Sequence, residues 1–424
     1  MAASRTTAEE HERRAIWLLG LPTFALALSI TVVTTYLPLI AQEFTDSSIV
    51  VGLLIGSEGL LALGLPLVVG TWSDQLKSPI GGRLPFLIAA TPPLAISLAL
   101  LGFAHSLVIA LGLCWLFFAA YFVAYEPYRA LYPDLVSDAN AGKSQSVQAI
   151  WRGAATGLAL VAGGLLFDLA PWVPFVTAAV VTLAVMVIFL RAMLNGPRRR
   201  WHEPEHPKPL GEAVRELRSL VAGRKGLQAY LVANALWEAS LGALKTFVLL
   251  YITVGLGIEI GDAALIVGAG AIFVLVGAVG SGLLADRYGQ LRILRVTLVV
   301  YGIGLLVPAV TTATLPIVLI APIAAFGGGA LMTLPYALLM PHMPAAAHGA
   351  LTGFYSLSRG VGTMFGPLLT GIAVELLKSP LDGTKGYQAM WLVCGGTVLA
   401  SLWFVRLMAR AAPQLEEPDA AAEL

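Results

Sequence analysis

The segment Gly70-Thr71-Trp72-Ser73-Asp74 returns as Gly282-Leu283-Leu284-Ala285-Asp286, half the length of this 424-residue chain further on. Both copies of the G-x-x-x-D pattern stand where a long apolar run ends in a short polar loop. What has been doubled is therefore a block of apolar helices, and such a chain folds as two related bundles in a bilayer. Composition agrees: 58% of residues are hydrophobic and 12% charged, about half the roughly 25% charge of an ordinary soluble domain.

Twelve apolar runs recur along the chain, near 16–40, 49–69, 86–104, 108–132, 145–167, 172–194, 227–251, 262–284, 293–311, 315–340, 350–377 and 386–408. Most approach the ~20 residues that cross a hydrocarbon core as a helix. The expected fold class is an all-α membrane protein of twelve transmembrane helices in two pseudo-symmetric six-helix bundles. The expected domains are an N-terminal tail (1–14), a first bundle (15–194), a central loop (195–226), a second bundle (227–408) and a C-terminal tail (409–424). The first run is too long for a signal-peptide core and is expected to stay as the first span.

The 26 Lys and Arg residues concentrate in the N-terminus, the central loop, the C-terminus and the loops after even-numbered spans, while Lys378 and Lys385 stand in the opposite set. The positive-inside rule then places both termini and the central loop in the cytoplasm, with the protein in the cell (plasma or inner) membrane. Arg198-Arg199-Arg200 reads as a topology anchor rather than a nucleic-acid patch. Within 195–226, four prolines precede a charged segment, Glu212 to Arg218, that can form a short surface helix. Cys114 and Cys394 lie far apart within apolar runs and read as packing residues.

The repeat extends beyond its first motif. Glu126-Pro127-Tyr128-Arg129-Ala130-Leu131 is echoed by Leu334-Pro335-Tyr336-Ala337-Leu338, Pro133-Asp134-Leu135 by Pro341-His342-Met343, and Arg152-Gly153 by Arg359-Gly360. Two parallel six-helix repeats joined by a cytoplasmic loop resemble the major facilitator superfamily, whose substrate site lies at the midplane between the repeats. In that superfamily the loop after the second span carries G-x-x-x-D-R-x-G-x-x-R. Gly282, Asp286, Arg287, Gly289 and Arg292 fit it, whereas Gly70, Asp74, Gly82 and Arg83 fit a longer-spaced version.

That longer version runs Trp72-Ser73-Asp74, then Gly81-Gly82-Arg83-Leu84-Pro85-Phe86. It is similar to the sucrose/proton symporter relatives of the glycoside-pentoside-hexuronide cation symporter group. Pro127-Tyr128-Arg129-Ala130-Leu131-Tyr132-Pro133-Asp134-Leu135 also resembles that group's P-x-R-A-L-x-x-D-L. The superfamily resemblance covers the whole chain, the narrower one residues 66–86 and 126–135. Those symporters carry an acidic residue two to three turns before the proline of the fourth span. Here that stretch is apolar and aromatic, around Phe117 to Phe122, so their proton site does not transfer.

Charges inside the spans narrow the search for a site. Glu58, Glu126, Arg129, Arg152, Glu238, Lys245 and Arg359 fall well within apolar runs, and at about 2.5–3.5 kcal/mol each, exposing all to lipid costs on the order of 20 kcal/mol. They must face one another, a cavity, or water at a helix end. Glu126 and Arg152 both lie about 10 Å in from the cytoplasmic side and can pair, either as a fixed clamp or as a bridge that substrate or a proton opens. Arg359 is the repeat partner of Arg152, yet Leu334 stands where Glu126 would be, which makes Glu58 the candidate counter-charge. Alternatively, Glu58 is a protonated acid donating one interhelical hydrogen bond.

In the seventh span, Asn234, Glu238 and Lys245 share one helical face, with Trp237 beside it. Such a stripe suits a polyhydroxylated or zwitterionic solute, and the resemblance implies that this span lines the central cavity; a structural pair of Glu238 with Lys245 or an arginine is the other reading. Gly52/Gly56, Gly153/Gly157 and Gly362/Gly366 are small-xxx-small pairs expected to let their helices approach closely. Asp74 and Asp286 at helix ends can meet backbone N–H groups and the positive pole of a neighbouring helix. The resemblance implies that they latch a cytoplasmic gate, with Arg83, Arg287 and Arg292 in the surrounding network; static capping is the plainer reading.

Enzymatic chemistry finds no support. Ala141-Gly142-Lys143-Ser144 resembles the end of a phosphate loop, but Ser137 stands where that motif needs glycine, and Gly268-Ala269-Gly270 has Phe273 where a dinucleotide fingerprint needs one. No cofactor, nucleotide or nucleic acid is expected; the expected partners are a small-molecule substrate and the lipid bilayer. The expected activity is secondary active transport by alternating access, as proton-coupled symport of a sugar or similar small solute with Glu238 or Glu58 as coupling carboxylate. Proton-driven efflux of an amphipathic compound is the alternative, suggested by Trp115, Phe117, Phe118, Tyr121, Phe122 and Tyr125. A carrier-like assembly or sensing protein that moves nothing is the third.

Overall fold

A computed structural model describes residues 2–136, 140–195, 211, 215, 219, 221–339 and 348–411, with side chains for 14–132, 134–136, 140, 143–195, 211, 215, 219, 221–335, 338 and 355–410. Most of the central loop, including Arg198 to Arg200 and all of Glu212 to Arg218 except Arg215, lies outside the described residues. So do Pro341-His342-Met343, Ser137 and residues 412–424.

Among the described residues all regular structure is helical. In chain order the helices are α1 (Ala2–Ala41), α2 (Ser48–Ala62), α3 (Leu65–Gln75), α4 (Leu84–Leu101), α5 (Leu107–Leu135), α6 (Ala141–Leu169), α7 (Val173–Asn195), α8 (Lys225–Leu250), α9 (Ile260–Tyr288), α10 (Gln290–Val310), α11 (Thr314–Leu339), α12 (His348–Leu376) and α13 (Met390–Ala411). Eleven spans among the described residues are long and apolar enough to cross a membrane; α12, which carries Arg359, is the further long helix. Many large apolar side chains on these helices face outward, among them Ile272, Val276, Val279 and Leu283 on α9. Water would not tolerate such a surface.

Two differences from the apolar runs have local causes. The helix of the first run begins at Ala2, well before residue 16, because no proline or glycine interrupts the polar segment that precedes it. The second run is broken into α2 and α3 at Leu63–Gly64. Pro66, near the start of α3, offers no N–H to the preceding turn and clashes with its carbonyl.

The chain forms two compact units. One comprises residues 1–44, 64–210 and 260–265, the other 45–63, 211–259 and 266–424. In the first, α1 packs on α6 and α7, α4 on α5 and α7, and α3 on α5. Tyr128 and Tyr132 of α5 both donate to the Leu19 carbonyl of α1, at 2.5 and 3.1 Å, and Thr23 shares a hydrogen bond with Tyr128. The two tyrosines of the Pro127–Leu135 signature thus tie α5 to α1 beside Pro22.

In the second unit α12 runs between α2 and α8, α8 also packs on α13, and α10 packs on α11 and α13. Glycine permits this. A Cβ on Gly52, Gly56 or Gly59 would come within 3.0 Å of the α12 backbone at Pro367 or Met364, and one on Gly362 or Gly366 would strike the α8 backbone at Ala235 or Ala239. Gly153 and Gly157 behave otherwise. A Cβ on either meets no described atom within 4 Å, so within the described residues this pair does not serve the close approach expected of it. Cys114 and Cys394 are buried thiols.

Candidate functional site

Two groups of charged residues stand out, one at a loop and one within the apolar helices. The loop group is built on the first G-x-x-x-D copy. Residues 76–83 join α3 to α4, with Gly81 in the left-handed region at φ 87° and the Ser78 hydroxyl donating to the Gly81 carbonyl at 2.6 Å. Pro85 sits in the first turn of α4, where its missing N–H is harmless. The turn folds Arg83 back onto the end of α3. Its guanidinium pairs with Asp74, donates to the Ser73 hydroxyl at 2.6 Å and reaches Asp134 at the end of α5 at 3.4 Å.

Arg83 and Asp134 are largely buried, with side chains 12% and 13% exposed, whereas Asp74 is 38% exposed. Gly82 makes the fold-back possible, since a Cβ there would fall within 3.0 Å of the Ser73 and Leu76 carbonyl oxygens. One cation thus holds three helices by their ends, and the spacing Ser73-Asp74 to Gly82-Arg83 is the length of that turn.

The second copy is built differently. Gly289, at φ 92°, alone separates α9 from α10. Asp286, Arg287 and Arg292 are exposed, and among the described residues none of them forms an ion pair. Arg287 follows Asp286 directly on the helix and so points about 100° away from it; its guanidinium lies over the Tyr288 ring at 5.3 Å. The residue matching Asp134 is His342, outside the described residues. Gly70 and Gly282 would both accept a Cβ without meeting anything within 4 Å.

The second group lies in the unit that contains α2, α8 and α12. Arg359 Nε is 3.6 Å from Glu238 Oε2, and Glu58 lies in the field of Lys245, Arg359 and Glu238 together. The glycine seams explain the meeting: a Cβ on Gly362 would sit 2.6 Å from the Glu238 Cβ, and Gly59 lies against Gly360, next to Arg359. Of the intramembrane charges expected from sequence, Arg359 and Glu238 therefore form an ion pair between two helices, with Glu58 in the field of both and of Lys245. The counter-charge bonded to Arg359 is Glu238, with Glu58 close by.

Asn234 and Trp237 lie on the same helix, but both are 1% exposed and spend their donors inside the unit. Asn234 Nδ2 donates to Ser358 Oγ and Trp237 Nε1 to Ser401 Oγ, each at 2.7 Å. Glu126 and Arg129 are half-buried on α5 and Arg152 is exposed on α6; α5 and α6 each pack on α1, and among the described residues Glu126 and Arg152 do not pair with each other. Arg129 lies over the Tyr125 ring at 5.5 Å, and Tyr125 stacks on Tyr121 at 5.3 Å. Sequence reasoning did not single out Asp134, Ser73, Ser358 or Ser401. Asp134 and Ser73 stood within quoted motifs, while Ser358 and Ser401 are ordinary serines whose partners lie more than a hundred residues away.

The sequence profile of the Major Facilitator Superfamily matches residues 19–252 and again 231–423. The chain belongs to the major facilitator superfamily. It is a multi-pass membrane transporter of that family, a carrier rather than an enzyme. The chain is 24% identical over 393 residues to the tetracycline resistance protein, class D, of Salmonella ordonez, covering 89% of this chain and 92% of that one. To the MFS transporter asaE of Aspergillus flavus it is 30% identical over 126 residues, 29% of this chain and 28% of that one.

Among solved structures of this superfamily fold, a bacterial homolog of the human lysosomal transporter Spinster, inward-facing and unoccupied, matches with a TM-score of 0.79 at 15% identity, covering 96% of this chain and 99% of that one. The nucleoside transporter NupG matches with a TM-score of 0.71 at 16% identity, covering 96% and 100%. At such identities the likeness is one of fold.

Proposed function

We propose that the protein is a proton-coupled secondary transporter that works by alternating access and imports a sugar or similar small solute across the cell membrane, with both termini cytoplasmic. The observation that carries this reading is the meeting of Glu58, Glu238, Lys245 and Arg359. Two carboxylates sharing two cations form a group whose pairing changes when one proton arrives, as a coupled carrier requires. Glu58 forms no ion pair among the described residues, whereas Glu238 holds Arg359.

The loop residues support the symporter branch. The stretched Ser73-Asp74…Gly82-Arg83 form and the Asp134-Leu135 signature meet in one clamp, so two motifs shared with the sucrose/proton symporter relatives act as a single device. In this reading the clamp latches the cytoplasmic gate. Uptake into proteoliposomes under an imposed pH gradient tests the proposal: accumulation should follow the gradient, and indifference to it would defeat proton coupling. Glu58→Gln and Glu238→Gln should each abolish gradient-driven accumulation, with at least one retaining exchange.

A second reading, proton-driven efflux of an amphipathic compound, is favoured by the tetracycline resistance relative, which aligns along most of this chain. The Tyr121–Tyr125 stack beneath Arg129 fits an aromatic solute. Thermal shifts by sugars on one side and hydrophobic cations on the other separate the two readings.

A further inference from the structure

We infer that the α9–α10 hairpin holds an anionic phospholipid, with its phosphate on Arg292 and Arg295 and an acyl chain along Val296, Val299 and Ile303. The inference concerns the lipid around the protein and stands whichever solute is carried.

The charge left over by the second G-x-x-x-D copy carries it. In the first copy Arg83 meets both Asp74 and Asp134. In the second, the repeat puts His342 where Asp134 would be, so Asp286 alone stands against Arg287, Arg292 and Arg295. All four are exposed, and among the described residues none of the three arginines forms an ion pair. No acidic residue stands in the first turn of α10, and beyond Arg295 the chain carries no Asp, Glu, Lys or Arg before Arg359. The hairpin therefore keeps an excess of positive charge.

The position of that charge decides what neutralises it. Residues 292, 295, 296, 299 and 303 follow i, i+3, i+4, i+7 and i+11 and so share one face of α10. Leu294, Leu298, Tyr301 and Leu305 are buried on the opposite face, while Val296, Val299 and Ile303 are exposed. Helix α10 has 21 residues, about 31 Å at 1.5 Å per residue, little more than the ~30 Å of a hydrocarbon core. Arg295, in its second turn, thus stands where headgroups meet acyl chains, at the end of an apolar strip that lipid covers.

A soluble anion would satisfy the arginines alone. A phospholipid satisfies both parts: its phosphate oxygens accept from the guanidinium groups, and its chain lies on the strip. The excess positive charge selects an anionic headgroup over a zwitterionic one. In the orientation proposed above, the hairpin faces the cytoplasmic leaflet, whose anionic lipids attract basic segments. The lipid then supplies the acid that Asp134 supplies in the first copy.

The test uses the full-length protein in detergent micelles, stripped of native lipid and titrated with phosphatidylglycerol or phosphatidylcholine of identical chains. Bound lipid is counted by native mass spectrometry. Phosphatidylglycerol should fill one saturable site and phosphatidylcholine should bind more weakly. Joint Arg292→Gln and Arg295→Gln substitution should weaken phosphatidylglycerol binding about thirtyfold, about fivefold for each arginine. Joint Arg292→Lys and Arg295→Lys substitution should keep most of it, which separates lost charge from lost fold. Removing two exposed cations of the first unit, by Lys143→Gln with Arg191→Gln, should leave it unchanged.

Equal binding of the two lipids would overturn the inference, as would full binding by the glutamine pair or an equal loss in the lysine pair. A matching loss in the Lys143 and Arg191 variant would reduce the effect to net charge and overturn it too. Displacement of phosphatidylglycerol by an equal concentration of glycerol 3-phosphate would assign the arginines to a soluble phosphate instead of a lipid.

Discussion

The two copies of the G-x-x-x-D pattern share a spacing and little else. In the first, residues 76–83 form a turn long enough to bring Arg83 back onto Asp74 and Asp134. In the second, a single glycine separates the helices, and Asp286, Arg287 and Arg292 stand exposed. The difference teaches that a repeated motif fixes the place where a carboxylate sits, while the loop after it decides what that carboxylate holds. A longer loop gives a closed clamp; a one-residue loop leaves the charges to solvent.

Substitutions can break or sharpen this contrast. The largest effect is expected from Arg83→Ala, which strips the cation from both carboxylates. Hydrogen bonds to charged groups are worth about 1.5–3 kcal/mol; most of that loss falls on buried Asp134, because the Asp74 side is screened by solvent. Thermal unfolding in detergent should show a clear drop, and transport should fall with it. Gly82→Ala comes next, at about 1–3 kcal/mol for the overpacked Ser73 and Leu76 carbonyls, read by the same melt.

Asp134→Asn should cost about 1 kcal/mol, since the amide oxygen still accepts from Arg83 but without a charge. The smallest effects belong to the second copy: Gly282→Ala and Arg287→Ala should each change stability by less than about 0.5 kcal/mol. Equal losses from Arg83→Ala and Arg287→Ala would show that the two copies hold their loops alike, and the contrast would be gone.

Much of the fold was legible because apolar run length reports directly on helices long enough to cross a bilayer, and each of the twelve runs contains a helix, the second run two. The break at Gly64 was not, since hydropathy is blind to a proline that interrupts backbone hydrogen bonding within an apolar stretch. The intramembrane charges were legible as a set, because burying each is so costly. Their pairing was less so. Arg359 meets Glu238 because glycines on both sides of α12 bring three helices to near backbone contact, and a sequence shows the glycines without showing which helix each one faces. Gly153 and Gly157 make the same point in reverse, a close-packing pattern with no described atom against it. Asp134 was visible only as a letter in a signature; its bond to Arg83 spans 51 residues.

The two cysteines bear on how the two loops can be compared in solution. Cys114 and Cys394 have no exposed surface, so the natural chain offers maleimide reagents almost no background among its described residues. A single cysteine at Gly70 or Gly282, where a side chain meets no neighbour, would be the dominant reactive thiol. Its labelling rate, followed with and without solute, would show whether the accessibility of each loop changes, separately for the two copies.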